Sequence, residues 1–165
     1  MGTSALKTTS ISNLDATPIV RANPWVHGGN SKQFSGTVEA VTADDTSSTY
    51  RFFRIGSWMR PVSLTLFCDA LGGSSAVDVG LYRTAADGGA VVNASLFASA
   101  VSLVSAITAG SNVRFEQDDI ANAEKRIWEL LGLSADPNLE YDVTAKVQTT
   151  INTGGTVTLH GNFSW

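Results

Sequence analysis

Two histidines, a single cysteine and two pairs of adjacent acids are the side chains of this sequence best equipped for chemistry. His27 falls in an irregular stretch, whereas His160 lies in an alternating one, in phase with Thr156, Thr158 and Asn162. Neither stands at metal-ligand spacing from the other or from an acid. The plain reading of His160 is therefore a surface histidine on a strand, and no metal or cofactor is expected. Cys68 is in phase with Leu64 and Leu66, which reads as a buried, inert thiol; being alone, it permits no intrachain disulfide. Asp44-Asp45 and Asp118-Asp119 are sequence neighbours, and such neighbours do not share a face, so neither pair is placed for acid–base work. Nor do they offer the alternating oxygens and closing glutamate of a calcium loop. No serine sits in a Gly-x-Ser-x-Gly elbow, and no glycine loop precedes a helix to cradle phosphate. The expectation is a protein without catalytic residues: not an enzyme, with no small-molecule substrate.

The tryptophans and arginines admit binding rather than catalysis. Trp25, Trp58, Trp128 and Trp165 would serve as sugar-stacking platforms if exposed, but Trp128 reads as helix packing and Trp58 as the plug of a chain corner. Trp25 and Trp165, near the two chain ends, suit interface anchoring. Arg51, Arg54 and Arg60 stand among aromatic residues. At strand spacing Arg51 and Phe53 share one side, with Phe52 and Arg54 on the other. These arginines are expected to shade apolar surface or to pair with acids; they form no cationic stripe, and no nucleic-acid partner is expected.

The elements that must position these residues are strands. Val62, Leu64, Leu66 and Cys68 alternate against Ser63, Thr65 and Phe67, and Val77, Val79 and Leu81 alternate against Asp78, Gly80 and Tyr82. A period of two marks a strand with one face in a core. Further strands are read at 34–41, 49–55, 112–116 and 139–147, with a last one through Val157, Leu159, Gly161 and Phe163. Residues 91–109 are mixed: Val91-Val92 suits a short strand, Ser95 to Leu103 a short turn of helix, and the rest irregular or extended chain. The clearest helix is Asn122 to Leu131, with Asp118 or Asp119 capping it, Ile120, Ala123, Ile127, Leu130 and Leu131 on one stripe, and Gly132 as its stop. Residues 1–33 show no lasting period and are rich in Thr, Ser, Asn, Pro and Gly. They read as an extended N-terminal arm that orders against a neighbour, with Ile11, Leu14, Ile19 and Trp25 as apolar anchors. The predicted organisation is that arm followed by one all-β domain, 34–165, a two-sheet sandwich with Greek-key or jelly-roll connections and one short α-helix.

Composition agrees with a passive scaffold. A chain of 165 residues with 43 % apolar residues can bury a full core without a metal or disulfide. Charged residues are only 16 %, so the surface must be rich in neutral hydrogen-bonding groups. The net charge of −4 is uneven: residues 115–142 hold eight acids against Lys125 and Arg126. The first 25 residues hold no apolar run, and the weakly apolar region 96–109 is too short for a membrane span, so neither a leader nor a membrane partner is expected.

Taken in order, YRFFRI at 50–55, DVGLYRT at 78–84, ADGGAVV at 86–92 and NASLFASAVSL at 93–103 form a set, continued by IWELLGLSADP at 127–137 and EYDV from Glu140. Over roughly residues 37–160 this set resembles the capsid decoration, or cement, proteins of tailed bacteriophages. The chain departs from that pattern at Trp58-Met59, in place of a small polar turn, and at Asn93, in place of an aspartate. The resemblance implies a jelly-roll structural protein, often oligomeric, on the outer surface of the virion capsid. It would be made in the host bacterial cytoplasm, would bind the major capsid protein and would bridge neighbouring coat subunits. A carbohydrate-binding or host-surface adhesion module is the alternative from the residues, and a head-fibre or tail-associated structural protein a third.

Overall fold

The computed structural model describes residues 31–165 together with Thr17 and Pro18. The body Ser31–Ser164 contains eight strands: β1 (Ser31–Ala40), β2 (Thr49–Gly56), β3 (Arg60–Cys68), β4 (Ala76–Arg83), β5 (Val91–Ser102), β6 (Ile107–Asn112), β7 (Glu140–Thr149) and β8 (Gly155–Ser164). They form two antiparallel four-stranded sheets, ordered β1-β8-β3-β6 and β2-β7-β4-β5. Consecutive strands mostly fall in opposite sheets, and β8 returns to lie between β1 and β3. That winding is the jelly roll, so the structure resolves the choice the sequence pattern left between two sandwich topologies.

The core lies between the sheets where the alternating residues meet. Leu64, Leu66, Val157 and Leu159 enter from one sheet, and Val77, Val79, Leu81, Val143 and Val147 from the other; all are fully buried. Phe34, Phe53 and Phe163 close one part of it. The rings of Phe34 and Phe53 stack at 5.2 Å, and Phe163 meets them edge-on at 5.7 and 6.1 Å. These spacings suit the aromatic quadrupole, which favours offset and edge-on pairs.

Four sequence expectations are corrected. The first strand, read at 34–41, spans Ser31–Ala40. Residues 91–102, read as a scrap of strand and a turn of helix, are one twelve-residue strand. Its register against β4 shifts three times, which scrambles the period of two. β6 ends at Asn112, and the residues read as a strand through Phe115 form a 3-10 turn, Phe115–Gln117. The helix is a single turn, α1 (Ile127–Leu130). Residues 120–124 are turns, and Ile120, assigned to the buried stripe, is 98 % exposed. Asp119 caps those turns by accepting from the Ala121 N–H, and α1 is capped by Arg126, whose N–H donates to Glu129 at 2.8 Å.

The helical turn persists because it is docked, since one turn has no intrinsic stability. Ile127 N–H donates to the Met59 carbonyl at 2.9 Å and Trp128 N–H to the Ser57 carbonyl at 3.1 Å. Both acceptors lie in the short β2–β3 corner. Trp58 of that corner lies across Gly56, where a Cβ would come within 2.4 Å of the indole, so the tryptophan covers the end of an edge strand as its position in the sequence suggests.

Candidate interaction surface

The outer face of the β1-β8-β3-β6 sheet is built from the polar half of each alternation. Register places Gln33, Asn162 and Ser63 in one row across β1, β8 and β3. Ser35, His160 and Thr65 form the next row, followed by Thr37, Thr158 and Phe67. The Thr37 and Thr158 hydroxyls are hydrogen-bonded at 2.9 Å, and the Phe67 and His160 rings lie 5.1 Å apart. A groove of about 400 Å³ runs over the first two rows and Phe67. These three rows thus hold no carboxylate, ammonium or guanidinium group. At the margin Glu39 accepts from the Thr156 hydroxyl at 2.8 Å. Neutral amides and hydroxyls lose less on leaving water than charges do, so such a face suits a broad contact.

One bulge shapes this face. Val62, assigned by alternation to the core, is 51 % exposed. The β3–β8 register shifts between Pro61 and Ser63, turning Val62 outward while Pro61 and Leu64 stay buried. Pro61 has no N–H to give a ladder, and β6 pairs only with Thr65 to Cys68, so the irregularity falls where β3 lacks a second neighbour. Arg114 fills the gap, donating to the Val62 carbonyl at 3.1 Å and pairing with Asp118 at 2.9 Å.

The outer face of the other sheet is committed to internal contacts. A bulge between Arg51 and Phe53 places Arg51 and Arg54 on one side, against the expectation that they point apart. Both meet Asp142, at 3.0 and 2.8 Å. Arg51 also donates to the carbonyls of Arg83 and Gly89, each at 2.9 Å, and its guanidinium lies over Tyr82. Burial alone would push the Asp142 carboxyl up, but hydrogen bonds and charge from Arg54 and Arg51 outweigh it and hold the group below the ordinary carboxylate range. Of the two roles expected, shading apolar surface or pairing with acids, Arg51 and Arg54 take the second; the shared hub on Asp142 was not foreseen. Its only sequence signal was an acid in the alternating run that begins at Tyr141.

The remaining candidates serve local structure. Asp44 accepts from Val41 N–H at 3.0 Å and from the Tyr50 hydroxyl at 2.6 Å, while Asp45 accepts from Ser47 N–H at 2.9 Å. These are loop and cap contacts, and the two carboxylates face different partners. Cys68 is buried, and burial pushes its thiol up, away from the reactive thiolate. His160 is exposed on the polar face, as alternation indicated. Trp128 is half-buried, with its Nε1 unpartnered. His27, Trp25 and the other proposed anchors of the arm lie outside the described residues. Among the described residues no three His, Cys, Asp or Glu side chains converge as metal ligands, and no helix is long and apolar enough to cross a membrane.

A second surface feature lies in the excursion between β6 and β7. Phe115, Ile120 and Leu133 are exposed there, at 46, 98 and 41 %, within the acid-rich stretch.

The class these features define is a small jelly-roll body with one sheet face committed to internal contacts and one whose central rows, among the described residues, are neutral. No family model matches the chain, and no curated protein matches it. Among solved structures it is similar to a chain of the cyanophage Pam1 capsid asymmetric unit, with a TM-score of 0.53 and 14 % identity, over 82 % of this chain and 85 % of that one. At that identity the similarity is one of fold.

Proposed function

We propose that this chain is a capsid-associated structural protein of a tailed bacteriophage. In this reading it decorates the outer surface of the head, binds the major capsid protein and bridges neighbouring coat subunits, stabilising the expanded, DNA-filled shell. It is made in the host bacterial cytoplasm and acts in the virion, without turnover. The observation that carries the reading is the open, uncharged outer face of the β1-β8-β3-β6 sheet. That face belongs to a body whose fold is shared along most of its length with a chain from a cyanophage capsid. Stabilisation is additive: each bound domain contributes buried area that must be lost before a junction opens, and symmetry repeats a modest contact over the whole shell.

The test is to add the protein to purified expanded heads that lack it, then follow co-sedimentation and the temperature of DNA release. Saturable binding with a higher release temperature is expected. Failure to bind, or binding without stabilisation, overturns the reading. The groove beside Phe67 and His160 favours a second reading, a glycan-binding adhesion module. It would show as saturable glycan binding by the free protein, lost on Phe67→Ala. Gold labelling confined to fibres or tails would instead identify a head-fibre or tail-associated component.

A further inference from the structure

The four edge strands of the sandwich are not protected alike. Edge strands expose unpaired backbone donors and acceptors, and natural sheets blunt them with bulges, short length, proline or charge. β2 has its bulge and two arginines, and β5 shifts register three times and carries Ala100 at φ +50°. β6 is six residues long, shifts register against β3, and contains Gly110 at φ +82°. β1 has no bulge, no proline and no shortening, and its middle is uncharged. Its ten residues pair with β8 in unbroken register from Ser31↔Ser164 to Ala40↔Gly155, and no other described strand pairs with it. It contains no proline, and its only charges, Lys32 and Glu39, stand near its two ends.

We propose that this edge of β1, with which no other described strand pairs, binds the β1 of a second copy of this chain, antiparallel, across a two-fold axis at Gly36. Opposite residues of an antiparallel pair lie on one face of the sheet, so the axis must pass through a residue and not between two. An axis at Gly36 sets Phe34 against Val38 of the second copy on the core side, an aromatic–β-branched pair. On the outer side it sets Ser35 against Thr37 and Gln33 against Glu39, all hydrogen-bonding pairs. An axis at Ser35 would instead set Lys32 against Val38 and Phe34 against Gly36. An axis at Thr37 would shorten the overlap to seven residues, 34–40. The Gly36 register leaves only Lys32, at the end of the strand against Ala40, without a matched partner, and it keeps nine residues, 32–40, in the overlap. A second copy suits this edge because an isologous contact requires a self-complementary segment, and β1 is one. Joined this way, the two β1-β8-β3-β6 sheets form one continuous eight-stranded sheet, and their neutral outer rows run together. The pairing belongs to the free protein, so its failure is separate from failure of attachment to a capsid.

The test uses two full-length single-cysteine additions, Ser35→Cys and Thr37→Cys, each purified reduced, then oxidised alone and in mixture. The native Cys68 is buried and contributes little background. A disulfide-linked dimer is expected in the mixture and not in either variant alone. Sedimentation of the unmodified chain should show a concentration-dependent dimer. In S35K/T37K, which sets lysines opposite lysines at two exposed positions, its dissociation constant should rise by at least about tenfold while the monomer keeps one cooperative melting transition. The proposal is overturned by a chain that stays monomeric at all concentrations. It is equally overturned by cross-linking no greater in the mixture than in the separate variants, or by a dimer indifferent to the lysines.

Discussion

Asp142 illustrates how a single residue fixes the committed face. Its carboxylate is mostly buried, with 11 % of the side chain exposed, and holds two arginines that come from one bulged strand. Asp142→Asn keeps one acceptor oxygen but removes the charge both guanidinia face. The cost expected at neutral pH is about 1–3 kcal/mol, kept below that of a fully buried pair because Arg51 and Arg54 are 33 and 48 % exposed and partly screened by solvent. Urea unfolding measures it. The folded carboxyl lies below its unfolded value of about 3.9. Stability from this group is therefore present above that value and is lost as pH falls through the depressed folded one. The gap between the native chain and D142N should accordingly close on acidification below about pH 4, and a gap that persists there assigns the effect to packing.

At the scale of elements, the informative strand is β5, which wraps irregularly over β4. A Cβ at Gly80 would stand 2.1 Å from the Asn93 carbonyl oxygen and 2.4 Å from the Ala94 backbone. No rotamer change relieves contact with a main chain, so Gly80→Ala should cost about 3 kcal/mol, the upper part of the range for overpacking. A melting temperature equal to the native one would show that β5 moves aside freely. The same irregularity explains what the sequence conceals. β4 and the end of β3 were legible because Val77, Val79, Leu81, Leu64 and Leu66 keep an unbroken period of two. Periodicity failed wherever a residue was inserted, at Val62, between Arg51 and Phe53, and along β5, because a bulge reverses the face of everything beyond it. The helix was over-read for a different reason. Ile120 and Ala123 have helical spacing from Ile127, but Asp119 bonds to the turn and the chain reaches Arg126 extended. The neutral face was half legible: alternation put His160, Thr158 and Asn162 outward, but only the register of β8 with β1 and β3 brings them beside Ser35 and Thr65.

For the whole molecule, the proposed role turns on which surface would meet a shell. The neutral sheet face and the acidic excursion around Ile120 differ in how salt affects them, since added ions screen charge and leave uncharged contacts nearly untouched. If the sheet face makes the attachment, half-saturation of expanded heads should stay nearly constant as salt is raised. Steep loss of binding with salt would move the contact to the excursion. In the proposed role, load would pass through two sheets that share one close-packed core, which is stiff and resists shear.

The pairing of β1 with β8 also governs how the chain comes into being. Thr37 and Thr158, which meet side by side, are 121 residues apart, and at ordinary elongation rates of about 10 residues per second some twelve seconds pass between their synthesis. Through that interval the ribosome carries a fully made first strand with neither flank matched. Nascent copies on one message would therefore lie near each other while each waits for its closing strand.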